Sequence, residues 1–517
     1  MKKPRCSPNE AALKAFFVAP QAENRDILEK GLAMALRHWI QWRKRMFSRD
    51  GTSVTPEEKK SLPYRQAVAR TLREIHRVSR AFHGELPRHS PRYIGHMLSE
   101  YSIPAFMGHF LALLYNPNNV ATEASRVGVK LEKEAVGAML RMVGYGPGAQ
   151  GHFTSGGSIA NFEMLFRARE WSRKPAVLLV PESAHYSWKK GAHLVGLAGV
   201  VPISLDADGR LSVDHLAATL RDLAARGTAV MGVVSVLGTT ELGVLDPVDR
   251  VADLLDAWKR ETGADIWHHV DAAWGGFFAC LQEEPALPAL AAPLRALRRA
   301  HSLTIDPHKL GYVPYSSGCF LCCSEERYRV VTTNAPYIDF DHLGDPGPFT
   351  LEGSRTAAGP IATLLTSRVI GFHRRGLGRV IHRTIRQTRS LRAELEKNPH
   401  LLPLPVEGNN ILCFALRGPE GTLSSTSAQT RRLADWIHRE AAKHPDRSFH
   451  VSQTTLGPGH RGLLEKFCQL YGLGNDSDSL HLIRCTVMNP FFQTRHLKVD
   501  LTRAFGEFLE RGRRGLV

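Results

Sequence analysis

The 517 residues are more than one hydrophobic core usually accommodates, so the length predicts one large domain with smaller ones. With 43% hydrophobic and 23% charged residues, the composition is that of an ordinary globular protein and excludes a disordered or fibrous chain. No apolar stretch reaches the roughly 18 residues that a membrane span needs, and no signal-peptide core follows the basic N-terminus. We therefore expect a cytoplasmic protein with no membrane partner.

The formal net charge of +17 is concentrated near the N-terminus, where residues 1–95 hold 20 Lys and Arg against 9 Asp and Glu, a surplus of 11. A basic helical segment could bind nucleic acid, but solvated helix faces are the commoner explanation of such a surplus. The sequence carries no zinc-finger, homeodomain or RNA-recognition motif. We therefore predict that nucleic acid is not a partner.

The N-terminal part, residues 1–92, is predicted to be a helical segment. Ser7-Pro8-Asn9-Glu10 is typical of a capping box with proline in the first turn, and the apolar residues that follow predict helix over 7–50. Thr55-Pro56-Glu57-Glu58 begins a second predicted helix that runs towards Phe82.

Strands and helices alternate in the middle of the chain. A polar turn at 116–120 and an amphipathic helix from about 123 to 143 come first. The apolar runs then predict strands at 176–180, 200–203, 230–236, 266–270, 303–305 and 319–323, and helices at 159–171, 186–197, 212–225 and 247–262. This alternation predicts an α/β domain with a mostly parallel sheet, in which ligands bind beyond the carboxyl ends of the strands.

The chain after residue 360 is predicted to form long helices and then a smaller α+β domain. Candidate strands lie at 411–416, 450–454 and 481–488, and candidate helices near 428–442 and 496–510. Eight cysteines are scattered along the sequence. Cys319 and Cys322 are the one suggestive pair, but they lie in an apolar strand-like run without a second pair, so we expect packing and no metal site.

Three stretches point to the chemistry. An apolar run ends in Asp306-Pro307-His308-Lys309, and the glycines and prolines that follow predict an irregular loop around the lysine. A lysine held there can have its pKa lowered until it is a nucleophile that forms Schiff bases. Asp271 ends another predicted strand, and the glycine-rich turn at 151–158 opens a helix whose N-terminus suits a phosphate. Pyridoxal 5′-phosphate (PLP) requires these three features.

With these motifs the sequence resembles the group II PLP-dependent amino-acid decarboxylases, and within them the bacterial tyrosine decarboxylase branch. The resemblance is clearest from Tyr93-Ile94-Gly95-His96-Met97 to about residue 495. It implies a type I aminotransferase-like PLP fold, with a PLP-binding large domain at 93–375 and a small α+β domain at 376–517. It also implies a homodimer across which the N-terminal segment packs and whose active sites lie at the interface.

The resemblance also implies roles for individual residues. Lys309 would bind the cofactor, Asp271 would keep the pyridine nitrogen protonated, and His185 would stack on the ring and could return a proton. The remaining cofactor-binding residues implied are Gly156, Gly157, Ser158, Thr239, Thr240, Ala273, Asp306 and His308, with Thr239 and Thr240 left as alternatives. Residues implied near the substrate are Asn118, Tyr315, Ser354 and Ser452.

A tyrosine after the lysine loop completes the resemblance. Tyr337 matches a loop tyrosine of the family that protonates the carbanion after decarboxylation, whereas Ile338-Asp339-Phe340 departs from the bacterial tyrosine enzymes. We therefore expect decarboxylation of an L-amino acid, with an aromatic substrate first and aspartate or glutamate second. The alternatives are oxidative deamination to an aldehyde, cleavage of a C–C bond, or a non-catalytic partner or nucleic-acid-binding role.

Overall fold

The computed structural model describes residues 12–333, 335–336, 338, 340, 344–494 and 497–516. Its N-terminal helices are α1 (Arg25–Met46), α2 (Pro56–Lys60) and α3 (Leu62–Ala81), followed by α4 (Ile103–Tyr115) and α5 (Arg126–Val143). Ser7 to Glu10 lie outside the described residues. The helices therefore begin the chain as expected, but their boundaries differ from the prediction.

The prediction of one continuous helix up to residue 50 is wrong, because the chain turns irregularly before α1. Pro20 has no N–H for a helical hydrogen bond, and Ala19 and Ala22 beside it have φ values of 72° and 57°. The second predicted helix begins as expected, with Thr55 and Glu58 forming a capping box. It is divided at Ser61, whose extended backbone ends α2 and whose side chain caps α3.

The large sheet has seven strands among the described residues. They are β1 (Gln150–Thr154), β2 (Val177–Pro181), β3 (Gly199–Ile203), β4 (Val230–Val236), β5 (Trp267–Asp271), β6 (Ser302–Ile305) and β7 (Gly318–Cys322). Their order is β1-β7-β6-β5-β4-β2-β3, and β7 is antiparallel to both its neighbours whereas the other pairs are parallel. The predicted mostly parallel α/β sheet is thus confirmed. β1 was missed, because its glycine and histidine were interpreted as part of the turn.

Helices cover the sheet on both faces. The helices of this part of the chain are α6 (Gly157–Ser172), α7 (Ser187–Leu194), α8 (Val213–Ala225), α9 (Val248–Thr262), α10 (Pro288–Ala296), α11 (Glu325–Tyr328) and α12 (Ala358–Val369), of which α10 packs against α9, and α12 against α4 and α5. The buried apolar residues between sheet and helices form separate clusters on the two faces. Cys319 belongs to one cluster and Cys322 to the other, so the two thiols point to opposite faces of β7 and pack in different layers.

A second sheet follows the long helix α13 (Leu377–Leu395). It contains β8 (Leu401–Pro403), β9 (Ile411–Leu416), β10 (Ser452–Leu456) and β11 (Leu480–Thr486), in the antiparallel order β10-β11-β9-β8. Helices α14 (Leu423–Lys443), α15 (Arg461–Tyr471) and α16 (Leu501–Arg514) complete this α+β region, and β8 was not predicted. Domain boundaries at 92 and 375 remain predictions. None of the helices in the described part of the chain is long and apolar enough to cross a membrane.

Candidate active site

The ends of three strands surround one cavity of about 470 Å³, which we call the central cavity. β5 ends at Asp271, β6 leads into the turn that carries Lys309, and β1 leads into α6 through the turn at Ser155 and Gly156. Parallel strands end at the same edge of a sheet, which is why residues so distant in sequence meet there.

Lys309 lies in the wall of the central cavity, with 22% of its side chain exposed and its Nζ 2.9 Å from Asp306 Oδ2. Burial lowers the pKa of Lys309, but the carboxylates of Asp306 and Asp271 outweigh burial and the net pKa is raised. The expectation of a lowered lysine pKa is therefore wrong for the polypeptide alone. It omitted the Asp306 carboxylate, which stabilises the charged amine.

Asp271 is 5% exposed, and three donors hold its carboxylate in one orientation. Oδ2 accepts hydrogen bonds from Asn161 Nδ2 at 2.9 Å and from the indole N–H of Trp188 at 3.1 Å. Oδ1 accepts the backbone N–H of Ala273 at 3.2 Å. Because hydrogen bonds to an ionised acceptor are the stronger ones, Asn161 and Trp188 fix the charge of Asp271 at the cavity wall.

His185 is connected to Asp271 through a short hydrogen-bond chain. Asn161 Nδ2 also donates to Ser187 Oγ at 3.1 Å, and Ser187 Oγ lies 2.9 Å from His185 Nδ1, which also accepts the Ser187 N–H at 3.3 Å. This network assigns the proton of neutral His185 to Nε2. Burial lowers the pKa of His185, against the opposing effect of the Asp271 carboxylate, so the neutral imidazole is favoured.

The N-terminus of α6 presents backbone donors at the same cavity. The Ser155 N–H donates to Glu352 Oε2 at 3.0 Å, which shows that this turn offers an N–H group to an anion. A Cβ at Gly157 would lie 2.8 Å from Asp306 Oδ2, so the close approach of this carboxylate requires glycine. Helix α6 therefore begins against the strand-end turn that carries Lys309.

The structure brings most of the predicted residues together. Those in the wall of the central cavity are Gly156, Gly157, Ser158, His185, Thr240, Asp271, Ala273, Asp306, His308, Lys309 and Tyr315. The alternatives Thr239 and Thr240 are separated by their positions, because Thr240 lines the cavity whereas Thr239 is buried with its Oγ1 accepting the Val244 N–H at 3.1 Å.

Three of the residues predicted near the substrate lie outside the central cavity. Asn118 donates to Ser354 Oγ at 3.0 Å, and Ser452 is buried and donates to the Gly95 carbonyl at 2.8 Å. None of these three belongs to the wall formed by described residues around Lys309. Tyr337 lies outside the described residues. The roles of all four remain predictions.

Sequence reasoning missed Asn161 and Trp188 as partners of Asp271. Both lie in helices, where no local pattern distinguishes a residue that supports a distant carboxylate from one that packs. Four residues of the cavity wall also have buried polar atoms without a partner among the described residues: Asn161 Oδ1, Ser183 Oγ, Trp274 Nε1 and Asp306 Oδ1. Buried polar atoms are normally paired, so these four indicate a polar ligand.

The model of the pyridoxal-dependent decarboxylase conserved domain matches residues 83–417 of the sequence. This chain belongs to the pyridoxal-dependent decarboxylases. It is therefore a PLP-dependent enzyme that removes a carboxylate from an amino acid, as the motifs around Lys309 and Asp271 predicted. The match also covers every residue that we place in the central cavity.

Relatives and solved structures agree with this membership. The decarboxylase is 27% identical to the L-tyrosine decarboxylase of Enterococcus faecium over 96% of this chain and 98% of the relative. It is 31% identical to the L-2,4-diaminobutyrate decarboxylase of Rhizobium meliloti over 65% of this chain and 66% of the relative. The structure of Oryza sativa TDC with PLP and tryptamine has a TM-score of 0.70, 17% identity and coverage of 96% and 99%, and shows the shared fold.

The central cavity of the decarboxylase fits PLP. Its volume lies within the range of about 300–1,000 Å³ of small-ligand sites. It combines a lysine, a buried carboxylate and a helix N-terminus, which match the aldehyde, the ring nitrogen and the phosphate of the cofactor. The His308 ring packs at a tilt against Tyr315 with ring centroids 4.2 Å apart, and its Nδ1 accepts the Ser317 N–H at 3.1 Å, so its ring is held at the edge of this site.

Proposed function

We propose that the enzyme decarboxylates an aromatic L-amino acid, with tyrosine favoured and aspartate or glutamate second, through covalent attachment of PLP to Lys309. The observation that supports this role of Lys309 is that Lys309, Asp271 and the N-terminus of α6 line the same cavity. The tyrosine decarboxylases among the relatives support the aromatic substrate.

PLP, when bound, supplies an electron sink for the electron pair that remains after carbon dioxide leaves. The residues of this chain bind and orient the cofactor. Lys309 Nζ would attach the cofactor aldehyde, and Asp271 would hold a proton on the ring nitrogen. The N–H groups at Gly156 to Ser158 would bind the phosphate, and Ala273 would lie against one face of the ring. The three hydrogen bonds to Asp271 already fix the orientation of that carboxylate.

His185 and Tyr337 are the two proposed proton donors. With Nδ1 occupied by Ser187, the Nε2–H of neutral His185 is the proton that this imidazole can deliver. Tyr337 is proposed from the family resemblance alone. Delivery of the proton to the substrate carbon gives the amine. Slow delivery would instead leave the carbanion to react with molecular oxygen and water, which would give an aldehyde, ammonia and hydrogen peroxide.

The enzyme is further proposed to be a cytoplasmic homodimer. Exposed apolar side chains along α3 support a partner surface, since large exposed apolar patches mark interaction sites. A second copy could also bring Asn118 and Ser354 to the neighbouring site, which a single chain does not do.

The proposal is tested with the purified protein loaded with PLP. We expect a visible absorption band, and we expect borohydride to fix the cofactor to the peptide that contains Lys309. Lys309→Ala should lose both the band and essentially all release of carbon dioxide while it remains folded, because the amine is used for chemistry. Lys174→Ala, at an exposed lysine, should behave as the unchanged protein.

Carbon dioxide, amine and aldehyde are then measured with tyrosine, phenylalanine, aspartate and glutamate. Amine from tyrosine would support the aromatic assignment, and amine from aspartate alone would replace it with the acidic one. Substantial turnover by Lys309→Ala would show that another residue attaches the cofactor.

A further inference from the structure

A second cavity, of about 570 Å³, adjoins the central cavity, and we call it the side cavity. His308, Lys309 and Tyr315 line both cavities, so the two meet at the proposed attachment lysine. A substrate whose amine reaches Lys309 can therefore extend its side chain into the side cavity.

The side cavity is formed by segments that are distant in sequence. One is the irregular turn at 18–22, another is the stretch 86–101, and the third is the loop after Lys309. Its apolar lining includes Leu28, Leu86, Leu98, Tyr101, Tyr312, Val313 and Met488. Such a lining suits an aromatic ring, because it removes apolar surface from water.

Glu100 is a buried carboxyl beside these apolar residues, in a wall that also contains Arg88 and His89. It is 7% exposed, and its Oε1 accepts the Ala19 N–H at 2.8 Å. Its Oε2 is buried and has no hydrogen-bond partner among the described residues, and the same is true of the hydroxyl of Ser99 beside it. Burial raises the pKa of Glu100 to about 7. A buried acceptor without a partner is costly unless a ligand supplies the donor.

We infer that Glu100 accepts a hydrogen bond from the phenolic hydroxyl of an aromatic substrate and thereby determines specificity for hydroxylated over unsubstituted rings. The inference rests on the proposed function, since it assumes that an amino acid reaches Lys309. It goes beyond that function by naming the residue that recognises the far end of the side chain.

The chemistry of the wall favours a phenol over other substrate groups. A phenol both donates and accepts, so it can satisfy Glu100 Oε2 and the unpaired Ser99 hydroxyl together. The carboxylate of an acidic substrate only accepts, so it could pair with Arg88 of the same wall but would leave Glu100 Oε2 without a donor. An unsubstituted ring would leave the buried oxygen unpaired, and sites with such unpaired groups reject analogues strongly.

The decisive measurement is the ratio of kcat/KM for L-tyrosine and L-phenylalanine in the PLP-loaded protein. In Glu100→Leu we expect this ratio to fall about tenfold or more, through a weaker reaction with tyrosine, because the acceptor is gone. Glu100→Gln keeps an acceptor oxygen and should keep most of the preference. Glu261→Leu makes the same chemical change at an exposed residue outside the cavity wall and should leave the ratio unchanged.

Equal losses for both amino acids in Glu100→Leu would overturn the inference, because they would show that Glu100 serves only to hold the turn through Ala19. If Glu100→Leu lost activity with L-2,4-diaminobutyrate and none with tyrosine, the inference would also be overturned. Glu100 would then recognise the ammonium group of a basic side chain.

Binding of tyramine and phenethylamine, measured by calorimetry on the PLP-loaded protein, separates this inference from the proposed function. If no amino acid yields carbon dioxide, the proposed reaction fails. Weakened binding of tyramine alone in Glu100→Leu would even then support the phenol site. Unchanged binding of both amines would overturn it.

Discussion

At the scale of single residues, the orientation of Asp271 is the feature on which the cofactor site depends. Its carboxylate could rotate at the end of β5, yet Asn161 and Trp188 both donate to the same oxygen. This leaves Oδ1, with its bond from the Ala273 N–H, as the oxygen available for a ligand proton. Asn161 and Trp188 are therefore positioning residues that act through Asp271.

We predict that Asn161→Leu weakens PLP binding and lowers kcat by about tenfold to a hundredfold, since a hydrogen bond to a charged group contributes about 1.5–3 kcal/mol. Trp188→Phe, which removes the other donor, should change both quantities in the same direction. The measurements are the dissociation constant of PLP from fluorescence titration and the kcat with tyrosine. Normal PLP affinity and kcat in both variants would remove these residues from the positioning role.

At the scale of elements, α3 is amphipathic yet has no buried residue. Beyond Leu62 at its first residue, its exposed apolar side chains are Tyr64, Val68, Leu72, Ile75 and Val78, continued by Phe82 after its end. With 3.6 residues per turn these form one stripe, and Arg70, Arg73, Arg77 and Arg80 lie on the opposite face. This arrangement accounts for part of the N-terminal charge surplus and leaves the apolar stripe free for a second copy.

We predict that Leu72→Glu together with Ile75→Glu shifts the protein from dimer to monomer, because two charges would be buried in an apolar interface. Arg73→Glu, on the opposite face, is the matched control and should remain dimeric. Sedimentation velocity measures the oligomeric state. Activity should fall as the monomer fraction rises, because the segment after α3 lines the side cavity. Dimers with unchanged activity in the double variant would place the partner surface elsewhere.

At the scale of the whole molecule, β5 carries two buried histidines in the centre of the large sheet. Burial lowers the pKa of His268 and of His269 to about 3 each, whereas the ordinary value is 6.5. Ser235 Oγ lies 3.0 Å from His268 Nε2, and Ser302 Oγ lies 2.7 Å from His269 Nδ1, which suits neutral rings. The folded protein therefore holds both imidazoles uncharged over a pH range in which the unfolded chain binds protons.

Between pH 6.5 and about 3 the unfolded chain binds a proton at each histidine that the folded protein does not, so the unfolding free energy falls as the pH falls. The slope is about 1.4 kcal/mol per pH unit for each residue. His268→Gln should reduce this slope by one residue's contribution, measured by urea unfolding from pH 7 to pH 5, whereas His193→Gln, at an exposed position, should not. Equal slopes in all three proteins would contradict the role of His268.

Local patterns were sufficient for the strands and loops that surround the chemistry. The apolar runs of β2 to β7 were predicted because a buried parallel sheet requires them. The irregular loop after Lys309 followed from its glycines and prolines, and the position of Asp271 at a strand end followed from the end of its apolar run. The resemblance of these motifs to one family then named the cofactor, and the domain match confirmed it.

The sequence by itself therefore determined the α/β class, the family and most residues of the central cavity. Only the tertiary structure decided which groups face one another. Asn161 and Asp271 are 110 residues apart, Glu100 and Ala19 are 81 apart, and their hydrogen bonds depend on how helices and turns pack. The raised pKa of Lys309 and the choice of Thr240 over Thr239 depend on the same packing. Local sequence restricts local backbone geometry, whereas distances between remote side chains are set by the folded chain as a whole.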